Sequence, residues 1–327
     1  MNFNNTKKVA VAVALLVIGT ANAATINLSK CVASINKTMS DGASVTFWVF
    51  GPAGGMGMCT GALPGAPIEV GVGDTLNLTL NINGMTPQEA APYNGHTIHL
   101  HGADVATSED GVPETGAPVT GDTYTFTPAG NMYGSHMYHG HVHTVKHLEM
   151  GMYGALIVRP KDANGVFLNR ITDNAATAYD YVQTYLFSTV DPAYHTAVQD
   201  STVFADYNPK YYLITGAEGK TTAVPAVTLA AAVNKKVALR LIGLHSVSGT
   251  FEIRDAAGAA KPFTAYTEDG RALPTAQTVT SLDVSPGQRF DIIFTTPATT
   301  GTWYPQITYK KLRDGAAYAT AYGKVTF

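Results

Sequence analysis

Cysteine is nearly absent: Cys31 and Cys59 are the only two in 327 residues. In an oxidising compartment a lone pair closes as one disulfide, here tying an N-terminal segment to the first strands. The other reading leaves Cys59 as a thiolate beside Met56 and Met58 in GGMGMC, a soft donor set suited to Cu(I). A basic excess is missing as well. Net charge is −3, and removal of residues 1–23 leaves 19 basic against 24 acidic side chains, a balance of −5 that attracts no nucleic acid. No apolar run is long enough to cross about 30 Å of hydrocarbon, which argues against a membrane span. The longest, Val9 to Gly19, follows Lys7 and Lys8 and precedes Ala21-Asn22-Ala23. That is the layout of a secretory signal peptide, with cleavage expected after Ala23 and release to the periplasm or outside the cell.

Helical patterning is lacking too, since no amphipathic helix longer than a few turns is discernible. Charged residues make up only 14%, while Gly, Thr, Val and Tyr abound, which suits an all-β protein with many turns. PIEVGVGDTLNLTLNING alternates apolar and polar residues on either side of Gly73-Asp74 and is expected to form a hairpin with one buried face. GDTYTFTPAG, GALIVRP, TVFADY, YYLITG, KKVALRLIG, TFEIRD and QRFDIIF repeat the strand signal at the spacing of a β-sandwich. The turn-rich stretch 161–178 is expected to connect a first domain, 24–160, to a second, 179–327.

The two halves differ in chemistry. Eight of the ten histidines lie between His96 and His147. Strand side chains alternate faces, so His99 and His101 in NGHTIHLHG point one way, and His96 the other if the strand extends that far. In GSHMYHGHVHTVKHLEMGMYG, His139 and His141 share a face, with His136 on the opposite one as packing or a donor behind the ligands. Two adjacent His-x-His strands would bring four imidazoles together, which suits Cu or Zn far better than Mg or Ca. Met150 and Met152 move the preference toward copper. Asp104 and Glu109 are candidates to orient the imidazoles, and otherwise are surface acids.

H-x-x-H-x-H-G, then Y-H-x-H, a nearby His and a Met-Gly-Met-x-Gly turn resemble the multicopper oxidases, especially the two-domain members and the related copper nitrite reductases. The resemblance spans nearly the whole mature chain and implies two tandem cupredoxin-like Greek-key β-sandwich domains. It implies a type 2 copper role for His99 and type 3 roles for His101, His139 and His141. It also puts His96, His147 and Met152 where such proteins hold the type 1 blue copper. Two-domain relatives close a homotrimer, and nitrite reductases reach their copper with a histidine from a neighbouring subunit, a role open to His245; the alternative is an ordinary loop histidine.

Two departures stand out. The thiolate of the family's Y-H-C-H is replaced by Gly140, which offers no ligand atom. His96, His147 and Met152 would then hold a non-blue copper, with His143 as substitute donor, or an empty, packed pocket. In the second domain, Glu252 and Arg254 stand where imidazoles are expected, and Arg254 stays protonated. Two functions follow from the sequence. One is a copper oxidoreductase exchanging electrons with O2, a nitrogen oxide or a small-molecule donor; the other is an exported protein that binds, stores or delivers copper without turnover. A metal-free structural sandwich leaves the histidine density unexplained.

Overall fold

A computed structural model describes residues 23–54, 58–82, 95–196 and 207–327. The leader, Met56 and most of TVFADY lie outside the described residues. Residues up to Arg159 form two four-stranded sheets facing each other. One is ordered β2 (Ser44–Pro52), β1 (Thr25–Thr38), β4 (Thr75–Asn81), β6 (Thr123–Phe126). The other is ordered β3 (Gly65–Gly71), β8 (Tyr153–Arg159), β7 (Gly134–His139), β5 (His99–His101).

The alternation in β4 buries Leu76, Leu78 and Leu80 against Ile68, Val70, Leu100, Tyr138, Leu156 and Val158 of the facing sheet. Each such side chain contributes about 1.5–3 kcal/mol when fully buried. Leu100 is 0% exposed between two outward histidines. Leu100→Ala is therefore expected to lower unfolding free energy by about 2–5 kcal/mol in a denaturant titration.

The expected β3–β4 hairpin does not form. β3 runs parallel to β8 and β4 parallel to β1, so Gly73-Asp74 turns a corner from one sheet to the other. Alternation specifies which face of a strand is buried and says nothing about which neighbour it pairs with. Asp74, 2% exposed, anchors the corner: it accepts hydrogen bonds from Gly71 N (2.9 Å) and Ala24 N (2.7 Å) and is ion-paired with Lys161.

Cys31 and Cys59 are disulfide-bonded, which leaves no thiolate for copper there. Residues 181–326 form a seven-stranded and a six-stranded sheet around Phe187, Leu239, Leu241, Phe251, Ile253, Ile292 and Ile307. β7 is buried on both faces. Its outer face, with Tyr153, Ala155 and Ile157 of β8, packs on Leu186, Ile242 and Leu244 of the second half. That contact holds the histidine-bearing sheet against the rest of the chain. The α-helices among the described residues are short, Thr144–Met150 (α1) and Pro192–Thr196.

Candidate metal centre

β5 and β7 pair antiparallel with His99 opposite His139, Leu100 opposite Tyr138 and His101 opposite Met137. Direct cross-strand partners have Cβ atoms about 4.5–5.5 Å apart. The His99 ring centroid is 5.0 Å from those of His139 and His141, and the His101 centroid is 5.5 Å from His139. His99, His101 and His139 offer ligand nitrogens all within 4.8 Å of one another. His101 Nδ1 and His139 Nε2 are 3.3 Å apart. One hydrogen bond spans that gap, and two nitrogens on a single tetrahedral ion with bonds of about 2.0 Å would also share it.

The outward nitrogens are held by oxygen. His99 Nδ1–H donates to the Asp110 carbonyl at 2.7 Å, with the Asp110 carboxylate at 3.2 Å, and His139 Nδ1–H donates to the Gly140 carbonyl at 2.9 Å. Both rings keep the Nε2 lone pair on the cluster side, that of His139 accepting from His101 Nδ1–H, the usual ring orientation for a metal-bound histidine. The orienting acid is Asp110. Asp104 instead pairs with Arg271 (2.8 Å), and Glu109 accepts from Thr125 N (2.6 Å). Burial pushes His99 and His139 below the ordinary imidazole range. Burial, helped by the Arg289 charge, brings His101 down to about 4. Neutral imidazoles are the form that binds metal.

A cavity of about 500 Å³ opens over the four histidines. Its other wall is Leu244, His245, Ser246, Pro286 and Gly287 of the same chain, with Met137, Val145 and Leu148 between. His245 thus reaches this region within its own chain. Its Nδ1–H is committed to the Val247 carbonyl at 2.8 Å, and its ring stands edge-on to Tyr309. Glu252 and Arg254 pair with each other at 2.8 Å on another strand and do not line the cavity.

The second histidine group also assembles. Gly151, at φ 105°, ends α1, and Met152 N then donates to the His147 carbonyl (2.9 Å) while Gly140 N donates to the Met152 carbonyl (3.0 Å). The rings of His96 and His147 stand 5.0 Å apart. A Cβ on Gly140 would lie 3.1 Å from His147 Nδ1 and 3.3 Å from Met152 Cε. His143 caps the start of α1 and does not line the cavity.

Residues 50–163 and 175–323 each match a family model described as multicopper oxidase. The chain belongs to the multicopper oxidase family. This multicopper oxidase is 31% identical over 126 residues to a copper-containing nitrite reductase of Neisseria meningitidis serogroup B, covering 38% of this chain and 28% of that protein. It is 35% identical over 109 residues to oxidoreductase ptaE of Pestalotiopsis fici, covering 32% of this chain and 17% of that one. The matched stretch spans under a third of either relative. In structure it resembles Fet3p, a multicopper oxidase that functions in iron import (TM-score 0.68, 20% identity, 92% of this chain, 52% of that one). It also resembles the blue copper oxidase of Nitrosomonas europaea (TM-score 0.66, 19% identity, 92% and 86%). These likenesses confirm the tandem cupredoxin fold.

Membership makes copper the cofactor. The four-imidazole set suits it, and the fourth member, His141, has its Nδ1 buried without a hydrogen-bond partner. Both cysteines of the chain are joined in the Cys31–Cys59 disulfide, so the pocket at Gly140 holds no thiolate.

Histidines buried in neutral form set an acid limit on the stability of this multicopper oxidase, and His136 and His245 add to the three lowered histidines of the metal centre. Burial, with Arg289 and Arg271 nearby, brings His136 down to about 3, and burial brings His245 to about 4. Both folded values lie below the ordinary 6.5, so the unfolded chain takes up protons first. Stability is undiminished above about pH 6.5 and falls by about 1.4 kcal/mol per histidine for each pH unit below it, until the pH reaches the folded value of about 3 for His136 or about 4 for His245. Metal-free protein is expected to melt earlier at pH 5 than at pH 7. His245→Asn, which keeps an N–H for Val247, should flatten that slope by one histidine's share; an unchanged slope would refute the assignment.

Proposed function

We propose that this chain is an exported copper-dependent oxidoreductase whose metal centre is the four-histidine face, with type 2/type 3-like ligands and no blue type 1 copper. His99, His101, His139 and His141 would hold the metal within the first domain, residues 24–160. The second domain, 179–327, donates no ligand and supplies the far wall of the cavity. The observation that carries this reading is three imidazole donors within 4.8 Å of one another, facing a space large enough for a small donor or O2. Imidazole-held copper with an open position supplies one-electron exchange. The chain's own contribution is to hold His99 and His139 in one tautomer through the Asp110 and Gly140 carbonyls. Leu148, Leu244 and Pro286 keep an apolar wall opposite.

The alternative, a non-catalytic periplasmic or extracellular copper carrier, is favoured by Gly140. Without the thiolate relay, and with Glu252 and Arg254 in place of second-domain imidazoles, the chain would make a poor four-electron oxidase. The homotrimer implied by the resemblance belongs to either reading, and the chain's own residues 243–246 and 286–287 already wall one side of the cavity. Metal analysis after copper loading tests the centre, and a copper content near zero rejects both functions. Oxygen consumption with a phenolic donor and with Cu(I) separates enzyme from carrier: turnover supports the first, and stoichiometric binding without turnover the second.

A further inference from the structure

We propose that the thioether of Met137 is an additional donor to the four-histidine centre, and that this centre is built to hold copper as Cu(I); the inference rests on the copper-binding reading above. Met137 stands directly opposite His101 and two residues before His139, on the same face of the sheet as both. It lines the cavity with all four histidines and is 2% exposed. A methionine side chain has three rotatable bonds, so its sulfur can adjust to an ion held by the neighbouring rings. Thioether sulfur is a soft donor, and soft donors select Cu(I).

The surroundings favour the singly charged ion for an independent reason. Among the described residues lining the cavity there is no carboxylate: the lining is imidazole, thioether, aliphatic carbon and small polar groups. Asp110 lies behind His99, on its Nδ1 side. Arg289, 3% exposed, reaches the backbone beside His101, where a Cβ on Gly102 would clash with Nη2. Its guanidinium stays charged. A fixed positive charge beside the site disfavours Cu(II) more than Cu(I). Asp269, 3.1 Å from Arg289 Nη1, offsets part of that effect, so the thioether carries the main argument.

The test is anaerobic loading of the full mature chain with one equivalent of Cu(I), with competition by bathocuproine disulfonate and X-ray absorption at the copper edge. It is made in a His147→Ala background to disable the pocket containing Met152. A sulfur neighbour is expected in that parent. Met137→Leu, close in volume and apolar, should lose the sulfur signal and at least about tenfold in Cu(I) affinity, with Cu(II) affinity little changed. Copper bound with nitrogen neighbours alone, or an unchanged Cu(I) affinity in Met137→Leu, overturns the Met137 assignment and leaves the copper-binding reading intact. A parent that binds no copper overturns both. Should Met137→Leu fail to fold, selenomethionine labelling of the same parent decides, since selenium must then appear beside copper or the proposal is wrong.

Discussion

His99→Ala combined with His139→Ala is expected to reduce copper content at the four-histidine centre from at least one ion per chain to near zero. The two residues are direct cross-strand partners, and each has its Nδ1–H committed to a carbonyl, which leaves Nε2 for metal. Losing groups that merely orient ligands costs about 10–100-fold in affinity, so losing two ligands should cost more than about 100-fold. Any copper-dependent oxygen consumption should disappear with the metal. Folding should survive, because the deleted rings are held neutral and no buried charge is left without its partner. Circular dichroism and a melting curve check that point. Unchanged copper content in a folded double variant would move the metal site elsewhere.

Gly140→Cys is expected to give copper-loaded protein an intense blue colour that the parent lacks. Gly140 has no left-handed φ, so a side chain can be added there without backbone strain. Its Cβ would meet the side chains of His147 and Met152 at 3.1–3.3 Å, tight contacts that small rotamer shifts can relieve. The new sulfur would enter the group already formed by His96, His147 and Met152, completing the two-histidine, one-cysteine, axial-methionine set of a blue site. A colourless, folded variant that still binds copper would mean that His96 and His147 no longer serve as ligands. Blue colour in the parent would instead contradict the assignment of Gly140.

The histidine cluster was legible because strand periodicity is rigid. Two-residue spacing in His99/His101 and His139/His141 fixes shared faces before any pairing is known, and the register of β5 with β7 then brings the faces together. The same periodicity could have flagged Met137, which shares parity with His139. Asp110 carried no such signal: it follows a short 3-10 turn eleven residues after His99, and a loop carries no periodicity from which its position could be read. The β3–β4 pairing was illegible because a corner between sheets and a hairpin call for the same alternation and the same turn residues. The cis placement of His245 beside the cavity depends on how two folded halves pack. That is decided by apolar surfaces such as Met137, Ile157, Ile242 and Leu244, which any strand pattern would equally bury inside its own sheet pair.

The corner at Asp74 bears on the exported form of the chain proposed above. Its carboxylate accepts a hydrogen bond from the nitrogen of Ala24, the residue that becomes the first of the chain if the leader is cut after Ala23. Before the cut that nitrogen is a neutral amide; afterwards it is an ammonium facing a carboxylate already paired with Lys161. A cut there would thus add a charge-assisted contact at the corner between the two first-half sheets, one of which carries the histidines. The contact would form only in chains cut at that position.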